Sequence, residues 1–419
     1  MQQAAVADRV PSTGSLGRDR DFVLLLCGQF VSRLGDRLAL VAFPWLVYTT
    51  TGSAVSTGVV LAMFTLPYVL FGALAGAVID RSRKRTLMIA VDVLRAALIC
   101  AVPFVAPHSL AAVAALAFAV ACAGVFFEPC LLALVPEIVP RQKLLRANSL
   151  LAGGDNLTEV LGYVAAGLLV ATLSLRTTFL LDGGTFLVSA LALGLMAYRG
   201  GAAGGRDGMG ARDGTAGGAP RGRLLRDIRD GWRFLAGHRG LRANTLLTVA
   251  AVAGVGASYP LTFLLAAQAF DGVPSFGYME AAIGAGYLAG SVGLVVLARR
   301  VRKGLVMTIG LALMGAGYAV LASLGSLPAV LAVLACVGAA NAVALVAIDT
   351  YLQETIPQEL RGRVLGLRFT ITQGVYALGV LGAGALAAVV DVGWLFAACG
   401  LVVAAPALAG LLTPTVRDV

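Results

Sequence analysis

The stretch "GALAGAVIDRSRKRTLMIAVDVLRAAL" (72–98) sets a charged knot, Asp80-Arg81-Ser82-Arg83-Lys84-Arg85, between two apolar runs. Runs of about 20 apolar residues cross a roughly 30 Å hydrocarbon core as helices. In lipid the backbone finds no water, so a crossing segment must pair its amides internally. The knot then reads as a turn at the membrane surface, and the same alternation recurs along all 419 residues. Composition agrees, with 59% hydrophobic and 13% charged residues, where soluble domains carry roughly a quarter charged.

Hydropathy predicts an all-α integral membrane protein with twelve spans, near 22–48, 54–79, 86–106, 109–134, 146–172, 177–198, 243–269, 275–298, 304–325, 328–351, 364–390 and 392–413. An even number puts both termini on one face. Of the 32 Lys and Arg residues, 28 fall in the tails and loops of that face, one (Arg176) on the other, and Arg33, Arg37 and Arg95 within spans. Positive charge marks the cytoplasmic side, so both termini are expected in the cytoplasm and the protein in the plasma membrane. The net charge of +10 is accounted for by topology and does not call for nucleic acid. Cys27, Cys100, Cys122, Cys130, Cys336 and Cys399 stand singly in apolar runs and read as small hydrophobes. The polar first 21 residues contain no cleavable signal pattern.

The organisation expected is a tail (1–21), a six-helix bundle (22–198), a linker (199–242), a second six-helix bundle (243–413) and a short tail (414–419). The linker opens Gly-rich (199–223), then places Leu224, Leu225, Ile228, Trp232 and Leu235 at helical spacing opposite Arg226, Arg229 and Arg233. Such a helix lies on a membrane surface and meets anionic lipid. A shift of 217 residues aligns "VPRQKLLRANSL" (139–150) with "IPQELRGRVLGL" (356–367), and a shift of 219 aligns "RKRTLM" (83–88) with "RKGLVM" (302–307). The two bundles therefore read as a parallel repeat, an arrangement used by secondary transporters.

The segment 76–85, with Gly76, Asp80, Arg81, Lys84 and Arg85, resembles the signature loop of the major facilitator superfamily, with Arg83 where the family has a second Gly. "FVSRLGDRLALVAFPWLVYTTTGS", "LVPEIVPRQKLLRANSL", "DIRDGWRFLAGHRGLR" and "IPQELRGRVLGL" resemble its branch of macrolide-efflux and enterobactin-exporter-like proteins. The resemblance implies export of amphipathic or hydrophobic small molecules by proton antiport and alternating access. It also implies that Asp80 and its basic neighbours latch against the region of Arg363 to Arg368 when the cavity opens outward. The alternatives are a same-fold importer, a lysophospholipid or siderophore transporter, or a non-transporting receptor. Two features of many antiporters are absent: an Arg in span 4, and a Gly-Pro pair in span 5, where Gly162 precedes Tyr163.

Intramembrane ionisable residues are functional candidates because a charge in hydrocarbon costs several kcal/mol. Span 1 places Gln29, Arg33 and Asp36 on one face with Arg37 beside it, read as an Arg33–Asp36 pair or as a proton carrier at Asp36. Span 5 places Asp155 and Glu159 one turn apart, needing a shared proton or a basic partner, and span 4 holds Glu128. The family's cavity-lining spans add Ser258, Tyr259, Gln268 and Asn341 as substrate contacts. Asp92 with Arg95 reads as a structural pair, Asp182 and Glu280 as structural acids near the outer surface, and Asp349 as partly solvated.

The three lysines follow no GxxxxG run, so no P-loop exists, and the two histidines, His108 and His238, form neither a metal motif nor a triad. Enzymatic chemistry, cofactors and metals are therefore not expected. The expected partners are a small-molecule substrate, protons and anionic lipid, and the expected assembly is a monomer.

Overall fold

The computed structural model describes residues 19–79, 82–198, 229, 231–297, 303–321 and 323–412. In the first half the helices are α1 (Arg20–Thr51), α2 (Ala54–Ile79), α3 (Lys84–Val105), α4 (Leu110–Val125), α5 (Phe127–Ile138), α6 (Leu144–Thr172) and α7 (Leu175–Leu195). The second half has α8 (Arg239–Ala269), α9 (Val273–Leu297), α10 (Lys303–Leu321), α11 (Leu327–Thr355), α12 (Gln358–Leu386) and α13 (Val392–Leu412). No strand occurs among the described residues. The latch residues Asp80 and Arg81, and most of the linker with its surface helix, lie outside them.

Helix limits follow from local chemistry. Asp19, Ser109 and Ser174 accept the first free amides of α1, α4 and α7, and Gly52 closes α1 in the left-handed region at φ 64°. The fourth apolar run is two helices, because Pro129 has no N–H for the Val125 carbonyl, one turn back. The ladder breaks at Phe126, whose N–H turns to Ala123 at 3.3 Å.

Nine helical segments among the described residues are long and apolar enough to cross a membrane, α4 and α5 together forming one of them. The nine omit α1, α6 and α9. Ionisable residues depress the hydropathy of α1 and α6.

The packing repeats. In the first half α1 packs on α6 and α7, α2 on α4, and α3 on α4 and α7. In the second, α8 packs on α12 and α13, α9 on α11, and α10 on α11 and α13. With α4 and α5 taken as one crossing, the second set is the first one transposed. The main contacts between halves, α2 with α12 and α6 with α9, exchange under the same transposition. Lys84 at the head of α3 is ion-paired with Glu137 of α5, and Lys303 at the head of α10 with Glu354 of α11. These pairs are separated by 219 and 217 residues, the shifts of the sequence repeat.

Glycine lets several of these helices approach at backbone distance. A Cβ on Gly338 of α11 would collide with the Ile283 carbonyl of α9, and one on Gly286 of α9 with the Ala335 carbonyl of α11. Backbone cannot move aside as a side chain can, so overpacking here costs about 1–3 kcal/mol or more. Gly338→Val should therefore lose solubility at a lower temperature than wild type when heated in detergent. Gly293→Ala is the control, since nothing lies within 4 Å of that position. Equal heat resistance of Gly338→Val and the control would refute the close approach.

At the end of the molecule where α1 starts, called here the basic end, Lys84 and Arg85 do more than record topology. Arg85 donates to the carbonyls of Leu193 (2.7 Å) and Gly194 (2.5 Å) in the last turn of α7 and of Tyr198 (2.9 Å) just past it. Asp21 accepts from the amides of Ala197 (2.7 Å) and Tyr198 (2.8 Å), and the Tyr198 hydroxyl bonds to Glu137. At the opposite end the halves close on one another. Phe263 of α8 meets Trp45 and Tyr48 of α1 at 6.3 and 5.7 Å between ring centres, and Phe276 of α9 meets Tyr163 of α6 at 6.5 Å.

Candidate functional site

The charges of α1 reach three different helices. Arg33 donates to Glu128 of α5 at 2.5 Å and lies 3.0 Å from Asp155 of α6. Arg37 lies 3.9 Å from Asp155 and is ion-paired with Glu159, while Asp36 is ion-paired with Arg95 of α3. The expected Arg33–Asp36 pair is thus replaced by pairs between helices. The expected Asp92–Arg95 pair fails for the same reason: Arg95 turns to Asp36, and Asp92 is fully buried near Ser189. The basic partner required by Asp155 and Glu159 is supplied by α1.

Small residues make room for these reaches. A Cβ on Gly162 would lie 2.8 Å from Cγ of Arg37, so the bare backbone of α6 seats the arginine stem. A Cβ on Gly35 would lie 2.7 Å from Oδ1 of Asp182, so α1 passes α7 with that acid enclosed between them. The break at Phe126 re-aims the next turn and brings Glu128 onto the wall that faces Arg33.

Three adjoining cavities of about 370, 420 and 360 Å³ share Tyr376 of α12 in their walls. The first is lined by Gln29, Arg33, Asp36, Arg95 and Glu128. The second takes in Arg37, Glu159, Ser258, Tyr259, Glu280 and Asn341. The third holds Asn341, Asp349, Arg368 and Gln373. A further pocket of about 200 Å³ connects Gln29, Arg33, Glu128 and Asp155. Arg33, Glu128 and Asp155 keep 25%, 50% and 39% of their side-chain surface exposed, in contrast to the aromatic seal at the far end.

Most residues singled out from the sequence thus meet in one place, with one correction. Gln268 is exposed, one residue from the end of α8 and on the sealed side, and is not part of the cavity wall. Lys84 and Arg85 are tied within the first half, and Gly76 lies in α2 close to its end. At Arg363 the backbone of Gly231 approaches closely, a Cβ there falling 3.2 Å from the Arg363 carbonyl.

Among the cavity residues whose place the sequence does not disclose are Arg95, Glu280, Arg368 and Tyr376. Arg95 carried the signal of an intramembrane charge but was assigned to the acid one turn away. Glu280 was judged by its distance from the helix start, although the cavity extends toward that end. Arg368 was counted with its loop, yet its guanidinium is buried against Asn244 (2.6 Å), Thr245 (3.0 Å) and Thr248 (2.8 Å) of α8. Tyr376 has no charge to mark it.

A family model for the Major Facilitator Superfamily matches residues 25–380, with a second match over 272–418. The chain belongs to the Major Facilitator Superfamily. Among its curated relatives, the multidrug efflux pump Tap of Mycolicibacterium fortuitum is 28% identical over 407 residues, covering 94% of this chain and 96% of the pump. Macrolide efflux protein A of Streptococcus pyogenes is 22% identical over 369 residues, covering 86% of this chain and 87% of that protein. In fold, this facilitator superposes on the nucleoside transporter NupG with TM-score 0.75 at 12% identity, over 94% of this chain and 98% of that one. It superposes on an inward-facing bacterial homologue of ferroportin with TM-score 0.72 at 16% identity, over 95% and 99%.

Within this facilitator the two departures from the antiporter pattern have physical counterparts. The positive charge absent from span 4 comes from α1, since Arg33 reaches Glu128 there. Tyr163, standing where a proline was expected, receives the Arg37 guanidinium 5.4 Å over its ring and forms part of the second cavity.

Proposed function

We propose that the protein is a secondary active exporter of amphipathic or hydrophobic small organic molecules, working by alternating access of two six-helix bundles in exchange for protons. The observation that carries this reading is the lattice of arginines and carboxylates set in a cavity wall of mixed aromatic, apolar and neutral polar side chains. In the walls of these cavities Asp36, Glu128, Asp155, Glu159, Glu280 and Asp349 outnumber Arg33, Arg37, Arg95 and Arg368 by six to four. A proton and an arginine are alternative partners for a carboxylate. Each observed pair joins different helices, so relative movement of α1, α3 and α6 exchanges one partner for the other. The named activities of the efflux relatives support the direction. With the basic end cytoplasmic, the sealed end faces outward and the cavity receives substrate from the cell interior. The setting is then the plasma membrane, with both termini inside.

The test uses inside-out vesicles from an efflux-deficient host making the protein, screened with amphipathic fluorescent compounds. An imposed pH gradient, acid inside, should drive accumulation of at least one compound, and a protonophore should abolish it. Accumulation indifferent to the protonophore would defeat proton exchange. Accumulation of none, with no change in the host's tolerance to any compound, would defeat amphiphile export.

A further inference from the structure

Glu280 of α9 is not used by the arginine lattice. It is 7% exposed, its Oε1 meets no hydrogen-bond donor, and it lies in the wall of the cavity of about 420 Å³. Tyr163, Tyr259, Tyr318 and Tyr376 stand in the same wall. The Tyr259 hydroxyl donates to the Leu40 carbonyl at 3.4 Å, and that of Tyr318 accepts from the Ser258 hydroxyl at 3.0 Å, so these rings are anchored by their polar ends. The charged neighbours acting on Glu280 are Glu159 and Arg37. Arg37 is already engaged by Glu159 and Asp155, which leaves the cavity one carboxylate in excess.

A buried carboxyl without a cation takes up a proton, which an arriving cation can replace, and a tyrosine-rich wall attracts positive charge through the ring faces. The wall already does so once, where Arg37 lies 5.4 Å over the Tyr163 ring. A small metal ion would need six or so oxygen ligands in place of rings. An organic cation needs one carboxylate and an aromatic enclosure.

We infer that this cavity is a subsite for an organic cation, a protonated amine or a quaternary onium group held by Glu280 within the tyrosine wall. The inference rests on the export reading and names its substrate class. Glu280 is then a specificity residue: neutral amphiphiles lack its ion pair, and anions are repelled by it.

The experiment measures equilibrium binding of tetraphenylphosphonium and tetraphenylborate, ions of near-equal size and opposite charge, to the purified full-length protein in nanodiscs. Empty nanodiscs give the lipid background for each ion. The phosphonium should bind saturably above that background and the borate should not. Glu280→Gln should weaken phosphonium binding about tenfold or more, equivalent to about 1.4 kcal/mol, and Glu280→Asp should retain part of it. Equal binding of both ions, or unchanged phosphonium affinity in folded Glu280→Gln, would overturn the inference. If Glu280→Gln is not recovered folded, the discrimination between the two ions by wild type decides. Vesicles that accumulate neutral amphiphiles while the protein ignores phosphonium would leave export standing and remove the cation subsite. Phosphonium binding that depends on Glu280, without transport of any compound, would do the reverse.

Discussion

Asp36→Asn protein is expected to reach the membrane in normal amount but to give no pH-driven accumulation of any compound that wild type moves. The replacement keeps the shape of the side chain and a carbonyl to accept from Arg95, whose side chain is only 10% exposed. What it removes, on the proton-exchange proposal, is the capacity to exchange an arginine for a proton. It also leaves the Arg95 guanidinium without its anion, although Phe186 lies 4.1 Å beneath it and retains part of the attraction. Losing one partner of a buried pair costs about 3–5 kcal/mol when the other stays charged. The balance between the two conformations should therefore shift together with the loss of coupling. The vesicle assay with matched expression is the measurement, and wild-type accumulation by Asp36→Asn would exclude Asp36 as the exchanging group.

The second large effect is expected at Arg37, and on stability. Its guanidinium serves Asp155 and Glu159 together and lies on the Tyr163 ring, with 18% of the side chain exposed. Arg37→Met fills the stem's place but strands Glu159, whose side chain is 39% exposed in the cavity wall, so the cost falls below the about 3–5 kcal/mol of a fully buried pair. Asp155 is less affected because Arg33 remains 3.0 Å away. Retention of a sharp size-exclusion peak after heating should fall well below wild type for Arg37→Met. Arg37→Met combined with Glu159→Gln should recover much of that loss, because the stranded carboxylate is gone; residues in one network characteristically couple by about 0.5–3 kcal/mol. A double variant no more stable than Arg37→Met alone would show that the Arg37–Glu159 contact is not what holds α1 to α6.

The membrane fold was legible in the sequence because lipid permits few solutions: length and hydropathy define the crossing helices, and loop arginines give an expected orientation. The residues of the site were legible for a related reason, since a charge within a span stands out against its surroundings. Their partners were not. Arg33 and Asp36 are three residues apart and look like a pair on a helical wheel, yet each makes its contact with a helix distant in sequence. Local spacing reports which face a side chain occupies and not which neighbour that face meets. Depth misled in the same way at Glu280 and Gln268. The first lies closer to its helix start than a central residue should and still belongs to the cavity, while the second, on a lining helix, ends beyond the aromatic seal. Glycine at 35 and 162 gave no sign of its role until the charges that it accommodates were in place.

The ties at Asp21 and Arg85 bear on how the protein is made. Asp21 at the head of α1 and Arg85 in the first turn of α3 both act on the segment that ends at Tyr198, just after α7. Every partner in this ring precedes the linker and the remaining helices in the chain. The early helices can lock at their basic end during translation, presenting a finished surface of α2 and α6 on which α12 and α9 later dock. Biogenesis thus begins with a template, and the later half is assembled against it.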